Sequence, residues 1–206
     1  MLKRARAALI WTAVVAAVGV PLAVAAASPQ LAWRDYIYIA AGFAGVIAMA
    51  LLLVQPLLAG GYLPGLAAAR GRRWHKWVGA GLVAAVIIHV GALWITSPPD
   101  VIDVLLVRSP TPFSIWGLIA MWVVFAAALI AAFRRRLRLR AKTWRLVHTS
   151  LVSVIAVSSI IHAMLIEGTM GTVSKAVLCG LVLAALAKTI ADLRTLSLLT
   201  PRRPKP

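Results

Sequence analysis

Six apolar runs constrain this chain more than any other feature, because each is long enough to cross a hydrocarbon layer about 30 Å thick. They fall near residues 8–27, 37–58, 75–96, 113–133, 146–166 and 173–194. A bilayer core holds no water to satisfy backbone N–H and C=O groups, so each run must close its own hydrogen bonds as a helix. Composition agrees. Hydrophobic residues make up 62% of the chain, mean hydropathy is +0.93, and only 13% of residues are charged, where a soluble domain carries about a quarter. The expected fold class is all-α and integral to a membrane. It is a six-transmembrane-helix bundle forming one domain over residues 1–206, ending in a basic tail over 195–206.

The net charge is +17, but it does not point to nucleic acid. The basic residues sit in short clusters between apolar runs, which is the pattern of membrane topology and anionic headgroups. Lys3, Arg4 and Arg6 precede the first run, and Arg70, Arg72, Arg73 and Lys76 lie between the second and third. Arg134, Arg135, Arg136, Arg138, Arg140, Lys142 and Arg145 lie between the fourth and fifth. Lys188, Arg194, Arg202, Arg203 and Lys205 close the chain. These nineteen of the 22 basic residues fall on one side of the six-span topology, and Asp35, Asp100, Asp103 and Glu167 on the other with Arg34, Arg108 and Lys175. The positive-inside rule then puts both termini in the cytoplasm. The first run is expected as a retained helix, although basic residues, an apolar stretch and the small-residue end AVAAAS also describe a secretory leader. Residues 97–112 are the one long connection, and their VIDVLLV core is expected as a short amphipathic segment at the outer interface. The single cysteine, Cys179, allows no intrachain disulfide and reads as a small buried hydrophobe.

All four histidines lie in two of the runs: His75 and His89 in the third, His148 and His162 in the fifth, fourteen apart in each case. Fourteen helical residues turn roughly 1400°, about 40° short of four full turns, and rise about 21 Å. Each pair therefore shares one helix face. The third and fifth spans run in the same direction, so two levels of facing imidazoles result: His75 with His148 inside, His89 with His162 outside. A lone histidine in a membrane helix is often an interhelical hydrogen-bonding group, but that reading leaves the matched spacing unexplained. Zinc or copper calls for three or four ligands in one sphere, and histidines about 21 Å apart on one helix cannot provide them. A porphyrin supplies four equatorial nitrogens and needs only two axial ligands. Two haem b groups are the expected cofactors, each six-coordinate and suited to electron transfer.

Gly79, Ala80, Gly81, Ala84 and Ala85, with Ser153, Ala156, Ser158 and Ser159, are small enough to leave room between the two spans. Arg73 and Arg145 are the expected partners of the inner haem's propionates, and Arg108 and Lys175 are the cations at the outer level. Trp74, Trp77, Trp94, Trp116 and Trp144 are expected as an interfacial belt and not as electron relays. Glu167 reads as a plain interfacial carboxylate.

The segments RRWHKWVGAGLVAAVIIH and WRLVHTSLVSVIAVSSIIH, with their helix order, resemble the ferric reductase-like transmembrane domain. That domain is shared by ferric reductases, NADPH oxidases and the haem subunit of the bacterial methionine sulfoxide reductase system. The likeness runs from about residue 37 to 194. The resemblance implies a di-haem b-type cytochrome of a bacterial-type cytoplasmic (inner) membrane. It carries electrons from a cytoplasmic flavoprotein, a flavin reductase holding FMN or FAD, or from a quinol. The acceptor lies outside: ferric iron or a periplasmic reductase. Ferric reductases and oxidases continue into a flavin- and nicotinamide-binding module. No strand–GxGxxG–helix unit occurs in this chain, and Gly79-x-Gly81 lies inside an apolar run, so the electron source is expected in another molecule or a quinol. Two further readings stay open. One is a haem subunit dedicated to a single periplasmic oxidoreductase; the other is a non-haem transporter whose histidines line a proton or metal path.

Overall fold

The computed structural model describes residues 1–66 and 68–199, with side chains described for 1–66 and 69–192. Among the described residues every regular element is helical. Among the described residues six helices are long and apolar enough to cross a membrane: α1 (Leu2–Ala26), α2 (Tyr36–Ala59), α3 (Ala68–Thr96), α5 (Ser114–Phe133), α6 (Ala141–Leu165) and α7 (Thr172–Leu199). A short α4 (Pro98–Leu105) occupies the long connection where an amphipathic segment is expected. The third and fifth spans are thus α3 and α6. Several helices run past the apolar limits: α3 starts at 68 instead of 75, and α6 at 141 instead of 146. The added residues are rich in arginine, lysine and alanine, good helix formers whose long basic side chains reach outward from an interface. Residues 200–206 of the expected basic tail, with Arg202, Arg203 and Lys205, lie outside the described residues, as does the side chain of Arg194.

Local chemistry sets the ends of these helices. Asp35 caps α2 by accepting from the Ile37 N–H at 2.7 Å, one of the orphan donors of a first turn. Paired prolines open α4, where no intrahelical N–H is needed. Beyond α4, Arg108 N–H donates to Asp103 O at 2.7 Å and Val107 N–H to Val104 O at 3.1 Å. This is a Schellman close with Val107 at φ 57°, a position that glycine normally fills. Pro56 removes an N–H from α2 near its end. Its carbonyl accepts from Gly60 N–H at 2.8 Å and from the Thr189 hydroxyl of α7 at 3.2 Å.

The most extensive helix pairs are α2 with α3 and α5 with α6. α7 joins them, packing on both α2 and α6, and α1 lies against α2 and α7. The core runs through Met49, Leu52 and Leu53 of α2, Val124 of α5, Ile155 and Ala156 of α6, and Leu178 and Val182 of α7. Outward faces are equally apolar: Ile87, Ile88, Trp122, Leu129, Val154 and Val177 are all exposed. Patches of this extent do not face water in a monomer, and here they form the lipid-facing surface. The histidine-bearing helices α3 and α6 scarcely touch each other. Each is held by its own neighbour, and the faces with the histidines look at one another across an interval.

Candidate functional site

Both expected histidine pairs assemble. The rings of His75 and His148 lie with centroids 6.1 Å apart and planes 77° apart. Those of His89 and His162 lie 6.5 Å apart at 82°. The matched fourteen-residue spacings bring both pairs together without sliding one helix along the other. Among the described residues no three His, Cys, Asp or Glu side chains gather where they could hold one ion. The donor set is two facing imidazoles per level.

The Nδ1 atoms decide what these imidazoles can do. His89 Nδ1 lies 2.7 Å from the Ala41 carbonyl of α2. His162 Nδ1 lies 2.8 Å from the Phe113 carbonyl at the start of α5. His75 Nδ1 lies 3.2 Å from the Gln55 carbonyl. A carbonyl only accepts, so the Nδ1 atoms of His89 and His162 carry the proton and donate, whereas His75 Nδ1 also meets the Gln55 carboxamide. The Nε2 atoms of His89 and His162 are then left with their lone pairs. Tying one ring nitrogen to a carbonyl so that the other can ligate is the usual outer-shell arrangement at metal-binding histidines. Two imidazole nitrogens at about 2 Å from a shared iron put ring centroids about 6 Å apart. The distances, the outer Nε2 lone pairs and the interval between α3 and α6 fit a bis-histidine haem at each level.

The two levels are built differently. At the outer level glycines make room for the rings. A Cβ on Gly117 would stand 2.6 Å from His162 Cε1, and one on Gly45 would stand 3.2 Å from His89 Cε1. At the inner level the Gln55 carboxamide lies against both His75 and Gly79. Its NH2 faces His75 Nδ1, and its oxygen accepts from the Gly79 N–H at 2.7 Å. His148 Nδ1 is buried with no hydrogen-bond partner. Its ring instead stacks on Trp144 at 4.8 Å and 19°, and the Arg134 guanidinium lies over Trp144 at 4.9 Å.

The remaining expectations divide. Arg73 and Arg145 are exposed, two residues before His75 and three before His148 on their helices. Arg108 is exposed, whereas Lys175 is buried and donates to the Ile166 carbonyl at the end of α6. Gly79 and Gly81 do not line the interval. Their nearest neighbours are Gln55 and Leu51, so they let α2 and α3 approach. Ala156 and Ser158 are buried. Trp74, Trp77 and Trp94 are exposed, and Trp144 also stacks on His148. The i, i+4 spacing of Trp144 and His148 on one helix carried that signal. Gln55 carried one too, as a polar residue inside an apolar span. Backbone carbonyls leave no mark in a sequence, and Gly45 and Gly117 were two glycines among 14.

No curated protein and no solved structure matches the chain. A protein-family model described as "Ferric reductase like transmembrane component" matches residues 41–160. That span holds His75, His89 and His148 and stops two residues before His162.

Proposed function

From the premise that the chain belongs to the ferric reductase-like transmembrane component family, we propose that it carries electrons across a bacterial-type cytoplasmic membrane through two haem b groups. His75 and His148 hold the inner haem, His89 and His162 the outer. The observation that carries this reading is the pair of facing imidazole sets, 6.1 and 6.5 Å between centroids, the outer set held through Nδ1 by backbone carbonyls. Bound haem supplies the one-electron iron couple.

The residues of the chain do the rest. Two imidazoles at each level would hold a haem from both sides, which would supply one-electron chemistry in place of oxygen binding. Carbonyls of Ala41 and Phe113 hold the two outer rings in the ligating tautomer, and Gln55 orients His75. Arg73 and Arg145, at the inner end of α3 and α6, neutralise haem propionates. The apolar lipid-facing surface keeps water from the span between the levels. With the nineteen-residue basic side in the cytoplasm, both termini are cytoplasmic and electrons move outward, the direction that a potential negative inside favours by about 2.3 kcal/mol per 100 mV for a full crossing. The donor is a cytoplasmic flavoprotein or a quinol, and the acceptor is ferric iron or a periplasmic reductase.

The test is the absorption spectrum of the protein purified in detergent. Dithionite should develop the sharp bands of a reduced b-type, six-coordinate haem. A colourless protein that takes up no haem on reconstitution overturns the reading.

A further inference from the structure

The outer histidines share a device that repeats on two different helices. On α2, the Ala41 carbonyl takes the His89 Nδ1–H, and the residue four further on is Gly45. On α5, the Phe113 carbonyl takes the His162 Nδ1–H, and the residue four further on is Gly117. A helical carbonyl points toward residue i+4, so a side chain there stands beside any group that approaches the carbonyl from the flank. Phe113 O already accepts the Gly117 N–H at 3.2 Å. Each imidazole adds a second hydrogen bond on a face left bare by the missing Cβ.

The inner histidines provide a comparison within the same chain. α2 and α3 are antiparallel, so fourteen residues on one match fourteen on the other: Ala41 faces His89, and Gln55 faces His75. Four residues after Gln55 stands Ala59. There the Nδ1 to carbonyl distance is 3.2 Å, against 2.7 Å where glycine stands. On α5 the same register would set Ala127 against His148, with Ala131 four further on. His148 makes no hydrogen bond through Nδ1 at all. Glycine at i+4 goes with a short Nδ1–carbonyl distance in both cases; with alanine there the carbonyl is farther and the Gln55 carboxamide meets His75 Nδ1 instead, or Nδ1 is unpaired, as at His148.

We propose that Gly45 and Gly117 are positioning residues for the outer haem. By omitting a Cβ they let each imidazole settle on its carbonyl, which fixes each ring's rotation and would strengthen both rings as electron donors to iron. Stronger axial donation favours the ferric form. The inner pair, where His75 Nδ1 meets the Gln55 carboxamide and His148 Nδ1 is unpaired, lacks a carbonyl acceptor at that short distance on either ring. The inference rests on the haem reading above.

Redox titration and low-temperature electron paramagnetic resonance of the ferric protein test it. The haem that disappears in His89→Ala identifies the outer signal. Gly117→Ala should displace that signal and either raise the outer midpoint potential or expel the outer haem. Gly45→Ala, whose contact is milder, should give the same upward shift to a smaller extent. The inner haem should keep its potential and signal in both. Gly42→Ala, on the same helix with nothing within 4 Å of its Cβ, should leave both haems unchanged; alanine raises helix propensity at all three positions. The proposal is overturned if both cradle variants keep the wild-type outer potential and signal, or if Gly42→Ala shifts them equally. A colourless wild type would instead remove the haem reading, and this inference with it.

Discussion

At the scale of single residues, the informative atoms are those without an ordinary place. Val107 is one. It sits at φ 57° at the close of α4, 66% exposed, with nothing but a Schellman turn to hold it there. A left-handed conformation costs a branched residue about 1–2 kcal/mol. Val107→Gly is therefore expected to stabilise the α4 turn by about 1 kcal/mol, after glycine's larger unfolded-state entropy is set against the strain. Slower hydrogen exchange at the Arg108 and Ser109 amides would register it; faster exchange would count against the strain. His148 is the second such residue, since its Nδ1 is buried without a partner and an unsatisfied buried polar group costs about 1–3 kcal/mol. The Trp144 stack and the Arg134 guanidinium above it cover that ring on one side. The sequence made all four histidines legible because they are rare and evenly spaced. It hid the groups that orient them, because a carbonyl has no side chain and a cradle glycine looks like any other.

At the scale of elements, helices two and seven are joined at the end near the inner histidines. Tyr62, just beyond α2, donates its hydroxyl to Asp192 of α7 at 2.5 Å, and Lys188 bonds the same carboxylate at 2.9 Å. Burial and the bond to Asp192 raise the Tyr62 phenol above its ordinary value. The sign follows from linkage: a raised folded pKa favours the protonated form. This clip therefore contributes in full below the unfolded tyrosine value of about 10 and is lost as pH rises through the folded value. Thermal melting in detergent at pH 8 and pH 11 should show a larger loss for wild type than for Tyr62→Phe. Equal losses would contradict the clip. Element boundaries were readable to within a few residues where hydropathy set them, as at α2 and α5. They were misread where basic residues continue a helix past the hydrocarbon, as at α3 and α6. The small residues between the histidines were legible as small. Their direction was not, because Gly79 and Gly81 turn toward α2, and only tertiary packing decides which face of α3 meets which neighbour.

At the scale of the whole molecule, the two tight pairs α2–α3 and α5–α6 each present one histidine helix to an interval that the other pair closes. Parallel direction and equal spacing turn that interval into two levels about 21 Å apart along the helix axes. The account depends on the pairing across helices: His75 with His148, and His89 with His162. Haem content per chain in the four single His→Ala variants measures it directly. Wild type should carry two haems. His89→Ala and His162→Ala should each lose the same one, and His75→Ala and His148→Ala should each lose the other. If His75→Ala and His89→Ala lost the same haem, or if wild type bound none, the two-level arrangement would be contradicted.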